Sequence, residues 1–519
     1  MIEILQKEKE LFKNFLLNSK YLIGIIFIII LITYGIKIFY FDFSIDTEIL
    51  LSNYQAQISG YETQGRIGIA LTKFLFFNGY FNPYLANILT YLNFFIVNIL
   101  ICFLINRVLG NLSPKSLAIT ILPILFATHP AFAEQFNFIL QSFEVSLAIV
   151  LLTIALLLTY FYIIYGYKTF GFISILLCAY SILTYQSIIL FFVSGAIACF
   201  ILTLYVDERK NQIQPIKKYA FIGLKYFLVF VFSYILSQFI LKIYYVITNM
   251  QLSEYITNQI SWGKEPYTIT IKNIIDDVTK VIFPNDILGS IFYNYGFLFS
   301  MLVIGFLLVW RALRKNKVAF IEIPAFIVLF LSPFLLTFYL GHGEVVRAQM
   351  PALQLVIAFN FYYIYLNLKN HFSKLIIIVI SLITGINQVN VTANLFFSEH
   401  IKYEEDVNFA NRLNTYLDQI EIGNRSKYSL VILGEHKPES VVNIEGETLG
   451  HSFFAWDIGS EAGTTYRALG FMRILGYKFK DPTQDEINYA HTIENELAVW
   501  PEKDSIRIVD HLIIIKISE

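Results

Sequence analysis

The chain is built from stretches of about 20 apolar residues, the length a helix needs to cross the roughly 30 Å hydrocarbon core of a bilayer. They fall near 21–41, 84–106, 116–132, 139–165, 170–184, 187–206, 219–246, 288–310, 318–340, 348–367 and 374–394, which makes about eleven spans. With no water in the bilayer core, such segments must satisfy their own backbone hydrogen bonds, so each is expected to be helical. Of the 519 residues 56% are hydrophobic and only 15% charged, more apolar surface than one water-soluble core can cover. A polytopic α-helical membrane protein is the fold expected, with the bilayer as its solvent partner.

Alternating the spans sorts the connections between two sides. One side receives the N-terminus with Lys7, Lys9, Lys13 and Lys20, then Arg107 with Lys115, Lys168, the Arg209 to Lys218 and Arg311 to Lys317 runs, and Lys369 with Lys374. Lys and Arg concentrate in cytoplasmic connections, so the N-terminus is expected inside and the C-terminus outside. The first apolar run is too long for a signal-peptide core and no A-x-A site follows it, so it is expected to be retained. The opposite side receives 42–83, 133–138, the turn at Tyr185, 247–287, 341–347 and everything after about 395.

Two domains are expected, a transmembrane domain over 1–395 and a small soluble extracytoplasmic α/β domain over 396–519. In the second, Lys402 to Ile420 is a charged amphipathic stretch. Tyr428 to Leu433, closed by Gly434, reads as a buried strand, with further strands at Ser505 to Val509 and Leu512 to Ile517.

Several function classes are excluded. Net charge is −1, so no basic field recommends nucleic acid as a partner, and neither a zinc spacing nor a GxxxxGK[ST] phosphate loop occurs. Cys102, Cys178 and Cys199 lie in apolar runs without paired spacing and read as small core residues.

The residues suited to chemistry gather on the side opposite the basic connections. Asp42, Asp46 and Glu48 follow the first span at once, and carboxylates at a membrane surface can serve as a general base, though solvated loop charge has the same pattern. Arg66 offers a guanidinium that binds two phosphate oxygens together. Beyond Thr128, His129 and Pro130, where a helix break is expected, Glu134, Gln135, Gln141 and Glu144 descend towards membrane depth, where ionisable groups are costly and mark function. Tyr185 and Gln186 sit at the turn of a hairpin of two short spans. His342, Glu344 and Arg347 share a Gly-containing connection suited to an anionic ligand. An outward site with carboxylates for proton transfer and arginines for phosphate fits sugar transfer from a polyprenyl-phosphate donor. A flippase or transporter of lipid-linked saccharides is the rival, although transporters place their binding groups near the bilayer midplane.

These residues resemble the Gtr type II family of bacterial O-antigen glucosyltransferases. The resemblance is carried by Phe43-Ser44-Ile45-Asp46-Thr47-Glu48, by Gly65-Arg66 and by Tyr185-Gln186-Ser187. Further along it is carried by Tyr403-Glu404-Glu405-Asp406-Val407 with Ala410, and by His451-Ser452-Phe453-Phe454-Ala455-Trp456-Asp457. It implies a GT-C type membrane glycosyltransferase of the bacterial plasma membrane, moving glucose or a related sugar from undecaprenyl phosphate to a cell-surface glycan such as O-antigen. It further implies an acidic residue of the first outer loop as the base that activates the acceptor hydroxyl. Asp46 is the matching position, contested by Asp42 and Glu48, with Arg66 and Arg347 stabilising the departing phosphate. No cofactor is expected, since lipid phosphate is a good leaving group, although paired acids are also suited to Mg²⁺ or Mn²⁺.

Overall fold

A computed structural model describes residues 1–112, 117–283, 294–342, 351–420 and 424–519. Each of the apolar stretches is helical where it is described. Among the described residues, eight helices are long and apolar enough to cross a membrane: Lys20–Phe39, Pro83–Leu112, Ile139–Tyr165, Gln186–Arg209, Ile216–Thr248, Tyr295–Leu313, Ala319–Leu340 and His371–Asp418. The expected spans at 116–132, 170–184 and 348–367 are the shorter apolar helices Ala118–Ala127, Lys168–Thr184 and Ala352–Asn367. The first of these stops at Thr128, and a separate helix, Ala131–Asn137, begins after Pro130. Proline lacks the N–H a continuing helix needs, so the break falls where the sequence predicts it.

The bilayer explains the surface of these helices. Along Ile216–Thr248 the side chains of Phe221, Phe227, Phe232, Ile235 and Phe239 are exposed, a pattern no water-soluble helix of this length sustains. Inside the bundle, one apolar core runs from Phe15 through Tyr34, Phe94, Phe126, Phe191 and Phe359 to Phe396. The chain is a multi-pass membrane protein.

Connections assigned by alternation to the same side touch one another. At one face Arg107 bonds Glu8 (Nη2 to Oε1, 2.6 Å), and Arg311 joins Glu208 with Glu322. At the other face, 42–83 forms no open loop. It folds into the helices Thr47–Ser52, Tyr54–Thr63 and Ile67–Phe77. The last is an apolar helix that the span pattern passes over. It crosses Lys168–Thr184 so closely that a Cβ at Gly68 would meet Thr184. Its Lys73 is fully buried and paired with Glu144 at 2.9 Å.

One 48-residue helix, His371–Asp418, carries the chain out of the bundle. The sequence suggests an apolar span to 394 and a separate charged helix from 402, with a domain boundary at 395. No proline and no glycine pair interrupts the stretch, so the backbone continues through that boundary. Beyond it, β1 (Ser429–Leu433), β2 (Ile506–Val509) and β3 (Leu512–Lys516) form a sheet in the order β1-β3-β2, near the strands expected. β1 and β3 are parallel, with Ser429 opposite Leu512, and β2 and β3 form an antiparallel hairpin. The core under the sheet is shared with the first connection, because Phe43 and Ile45 pack among Phe409, Leu430, Phe453, Phe471 and Ile513. Aromatic packing thus seats the C-terminal segment on residues 42–48, with the Phe43 ring 5.6 Å from that of Phe453.

Candidate active site at the junction of the first connection and the C-terminal segment

Phe43 and Ile45 are buried anchors, so the residues alternating with them are fixed in position. Asp46 sits at φ 70°, in the left-handed region, at the head of Thr47–Ser52; Asp is one of the few side chains that tolerates that conformation. The turn brings Asp46 and Glu48 to the same partner, a guanidinium from the C-terminal segment. Arg467 Nη1 lies 3.0 Å from Asp46 Oδ1 and 2.6 Å from Glu48 Oε1, and its Nε lies 2.8 Å from Asp457 Oδ2. The Thr465–Ile474 helix that carries Arg467 is pinned to β1 by Thr465, whose Oγ1 accepts from Ile432 N and donates to Ile432 O, both at 3.1 Å. Gly470 allows the two helices to close up, since a Cβ there would stand 3.2 Å from Glu48 Cγ and 3.5 Å from Ser52 Oγ. A cavity of about 410 Å³ continues along the same helix pair, lined by Leu51, Ser52, Arg473, Ile474 and Lys478.

The three first-connection carboxylates differ in environment. The side chain of Asp46 is 38% exposed, whereas those of Asp42 and Glu48 are 1% and 0% exposed. Burial pushes the Glu48 carboxyl up to about 8, opposed by the Arg467 charge and reinforced by that of Asp46. Its Oε2 has no hydrogen-bond partner among the described residues. Asp42 faces elsewhere, paired with Lys37 and 3.3 Å from His400 Nδ1.

Behind Glu48, the His371–Asp418 helix presents a stripe of buried charge at Glu399, Lys402 and Asp406. Glu399 pairs with Lys402 at 2.9 Å and accepts from Gly450 N at 2.6 Å. Lys402 Nζ stands 4.6 Å from the Phe453 ring centroid. Asp406 accepts from Ser452 Oγ and Phe453 N, at 2.5 and 3.1 Å, and burial raises its carboxyl to about 7.

The Arg66 guanidinium stacks 4.8 Å from the Tyr185 ring centroid, and its Nε is buried with no hydrogen-bond partner among the described residues. Gln186 holds that corner by donating to Gln64 O at 2.9 Å. Tyr61, buried between, donates to Leu140 O at 3.1 Å and feels the charges of Glu144, Arg66 and Asp46. The structure therefore brings Asp46, Glu48, Arg66, Tyr185 and Gln186 to one edge of the bundle.

Other residues singled out from the sequence have different partners. His129 contacts Asn294 Oδ1 at 3.2 Å and Gln354 Nε2 at 3.3 Å, inside the bundle. Glu134 is gripped by the C-terminal segment: its oxygens accept from Glu447 N, Thr448 N and Thr448 Oγ1, each at 2.8 Å, and from Leu449 N at 3.3 Å. His342 Nε2 lies 2.8 Å from Gln259 O. Glu344 and Arg347 lie outside the described residues. Nothing in the sequence singles out Arg467, one of two arginines in an ordinary amphipathic helix, nor Lys73.

Long apolar helices beneath an edge of converging carboxylates and a stacked guanidinium define a membrane-embedded protein with a polar site at one surface. The chain belongs to the glucosyl transferase GtrII family, whose model matches residues 35–365, and is accordingly a membrane glucosyltransferase. No curated protein and no solved structure matches it. Family membership favours transfer over the rival carrier reading. The match ends about a hundred residues before Arg467.

Proposed function

We propose that this glucosyltransferase moves glucose from a polyprenyl-phosphate donor to a hydroxyl of a cell-surface glycan, at a site on the extracytoplasmic side of the bacterial plasma membrane. Asp46 takes the proton from the acceptor hydroxyl. The observation that carries this assignment is exposure: a general base must reach the proton it removes, and Asp46 is 38% exposed while Glu48 and Asp42 are buried. Glu48 orients the pair from behind. Arg66 meets the departing lipid phosphate, where negative charge develops in the transition state and a fixed cation has its differential effect. Its stack on Tyr185 and its unpartnered Nε support that role. The basic connections at the opposite face support an extracytoplasmic site. The counter-charge to Asp46 and Glu48 is a guanidinium, which supports a reaction without a metal.

The test is transfer of radiolabelled glucose from synthetic polyprenyl-phosphate glucose to cell-envelope glycan, in membranes holding the intact protein, Asp46→Asn, or neither, with and without excess chelator. Transfer that survives the chelator and falls at least 10³-fold in Asp46→Asn is the expected result. Full activity in Asp46→Asn would overturn the assignment of the base.

A further inference from the structure

The C-terminal segment lies beyond the part of the chain matched to the family, yet it reaches the site with one side chain. Arg467 is 7% exposed, and a single nitrogen of its guanidinium bonds both Asp46 and Glu48. Its Nε is held by Asp457, ten residues back in the same segment. The planar fork is thereby locked by its own segment and aimed at the first connection. An arginine does this where a lysine cannot, because its donors sit at fixed angles.

Two further contacts seat the segment. Its loop at 447–449 grips Glu134 of the bundle, and Gly470 brings the Thr465–Ile474 helix against Glu48. If Arg467 served only to neutralise surface charge, neither its burial nor its bond to the more exposed Asp46 would be needed, since exposed ion pairs contribute little.

We propose, resting on the reading of Asp46 as the base, that Arg467 is a positioning residue of the transfer reaction and that the C-terminal segment completes the active site by fixing Asp46 and Glu48 from one guanidinium. Arg467 touches the carboxylates and acts through them. It orients Asp46 towards the acceptor side and keeps Glu48 turned inward. Among the described residues, Asp457 holds the other side of Arg467, Lys402 adds positive charge at Glu48, and Tyr61 faces Asp46. Removing Arg467 therefore leaves Asp46 without the donor that orients it and Glu48 with Lys402 as the positive charge still acting on it.

The experiment compares Arg467→Gln, Arg467→Lys and Asp46→Asn in the full chain, reading kcat separately from the KM for polyprenyl-phosphate glucose. Arg467→Gln is expected to lose about 10²-fold in kcat, the scale of a misplaced reacting group, with donor KM little changed. Arg467→Lys keeps the charge and loses the fork, so it should recover only part of kcat, again with donor KM little changed. Because Arg467→Gln is also open to misfolding, Arg467→Lys carries the test if the first variant does not accumulate. An unchanged kcat in a folded Arg467 variant, or a loss carried by donor KM with kcat intact, with Asp46→Asn inactive, would overturn this inference and leave the base assignment standing. An active Asp46→Asn enzyme would instead overturn the assignment on which the inference rests.

Discussion

The grip of the C-terminal segment on Glu134 has a measurable strength. The carboxylate is fully buried and takes three backbone N–H groups and one hydroxyl from residues 447–449. A hydrogen bond to a charged group contributes about 1.5–3 kcal/mol, and bonds sharing one acceptor do not add fully. Glu134→Ala should therefore lower the free energy of opening this loop by about 3–4 kcal/mol. At 1.4 kcal/mol per tenfold, exchange of the Thr448 and Leu449 amides should accelerate by about 10²–10³-fold. Glu134→Gln keeps one acceptor oxygen and turns an NH₂ towards an N–H donor, so its effect should be smaller, near tenfold. Gly446→Ala should reach the same end with Glu134 intact, because a Cβ there would overlap Glu134 Oε1. Hydrogen exchange followed by mass spectrometry reads all three variants, with the buried β3 amides at Ile513 to Ile515 as an internal control. Unaltered exchange at 447–449 in Glu134→Ala would refute the reasoning, since it would mean the loop is held by something other than this carboxylate.

Two further outcomes follow from buried charge. Burial raises the Asp406 carboxyl from 3.8 to about 7, so the folded protein binds a proton that the unfolded chain releases. The stabilisation this gives is fully present below about pH 4, declines as pH rises and is gone above about 7; Asp406→Asn should flatten that part of a thermal-stability profile measured in detergent between pH 5 and 8. Removing one partner of the Lys73–Glu144 pair, both 0% exposed, strands a buried charge. Lys73→Met alone should cost about 3–5 kcal/mol and the double replacement Lys73→Met with Glu144→Leu far less, a difference that apparent unfolding temperatures of the two variants resolve. Equal losses in the single and double variants would show that the pair's cost lies in packing.

The chain's local chemistry fixes much of the architecture without reference to distant contacts. Apolar length sets where helices cross the bilayer, because each must satisfy its own backbone within about 20 residues. Pro130 sets a break, and the turn at Tyr185 sets a hairpin. Short continuous apolar runs mark β1 and β3, which are buried along their whole length. The same local logic misjudges what depends on depth or continuity. Ile67–Phe77 is too short to register as a span, so its buried Lys73 goes unseen. The charged stretch at 402–418 looks like a separate helix although no residue stops the one before it.

The site divides in the same way. Asp46, Glu48, Arg66, Tyr185 and Gln186 can be picked out because ionisable and polar groups beside apolar spans are rare. Their relative importance cannot be picked out, because reactivity depends on exposure and on charge supplied from elsewhere. Asp42, Asp46 and Glu48 are near neighbours in sequence, yet packing turns one to Lys37, one to the surface and one into the interior. Arg467 lies 421 positions from Asp46 along the chain, and nothing local marks it. Sequence alone determined that this is a membrane protein with acids at one edge, because hydrophobic length and chemical type are properties of short segments. Only the tertiary structure decided which acid is exposed and which cation holds it, because those depend on the fold bringing the C-terminal segment back to the first connection.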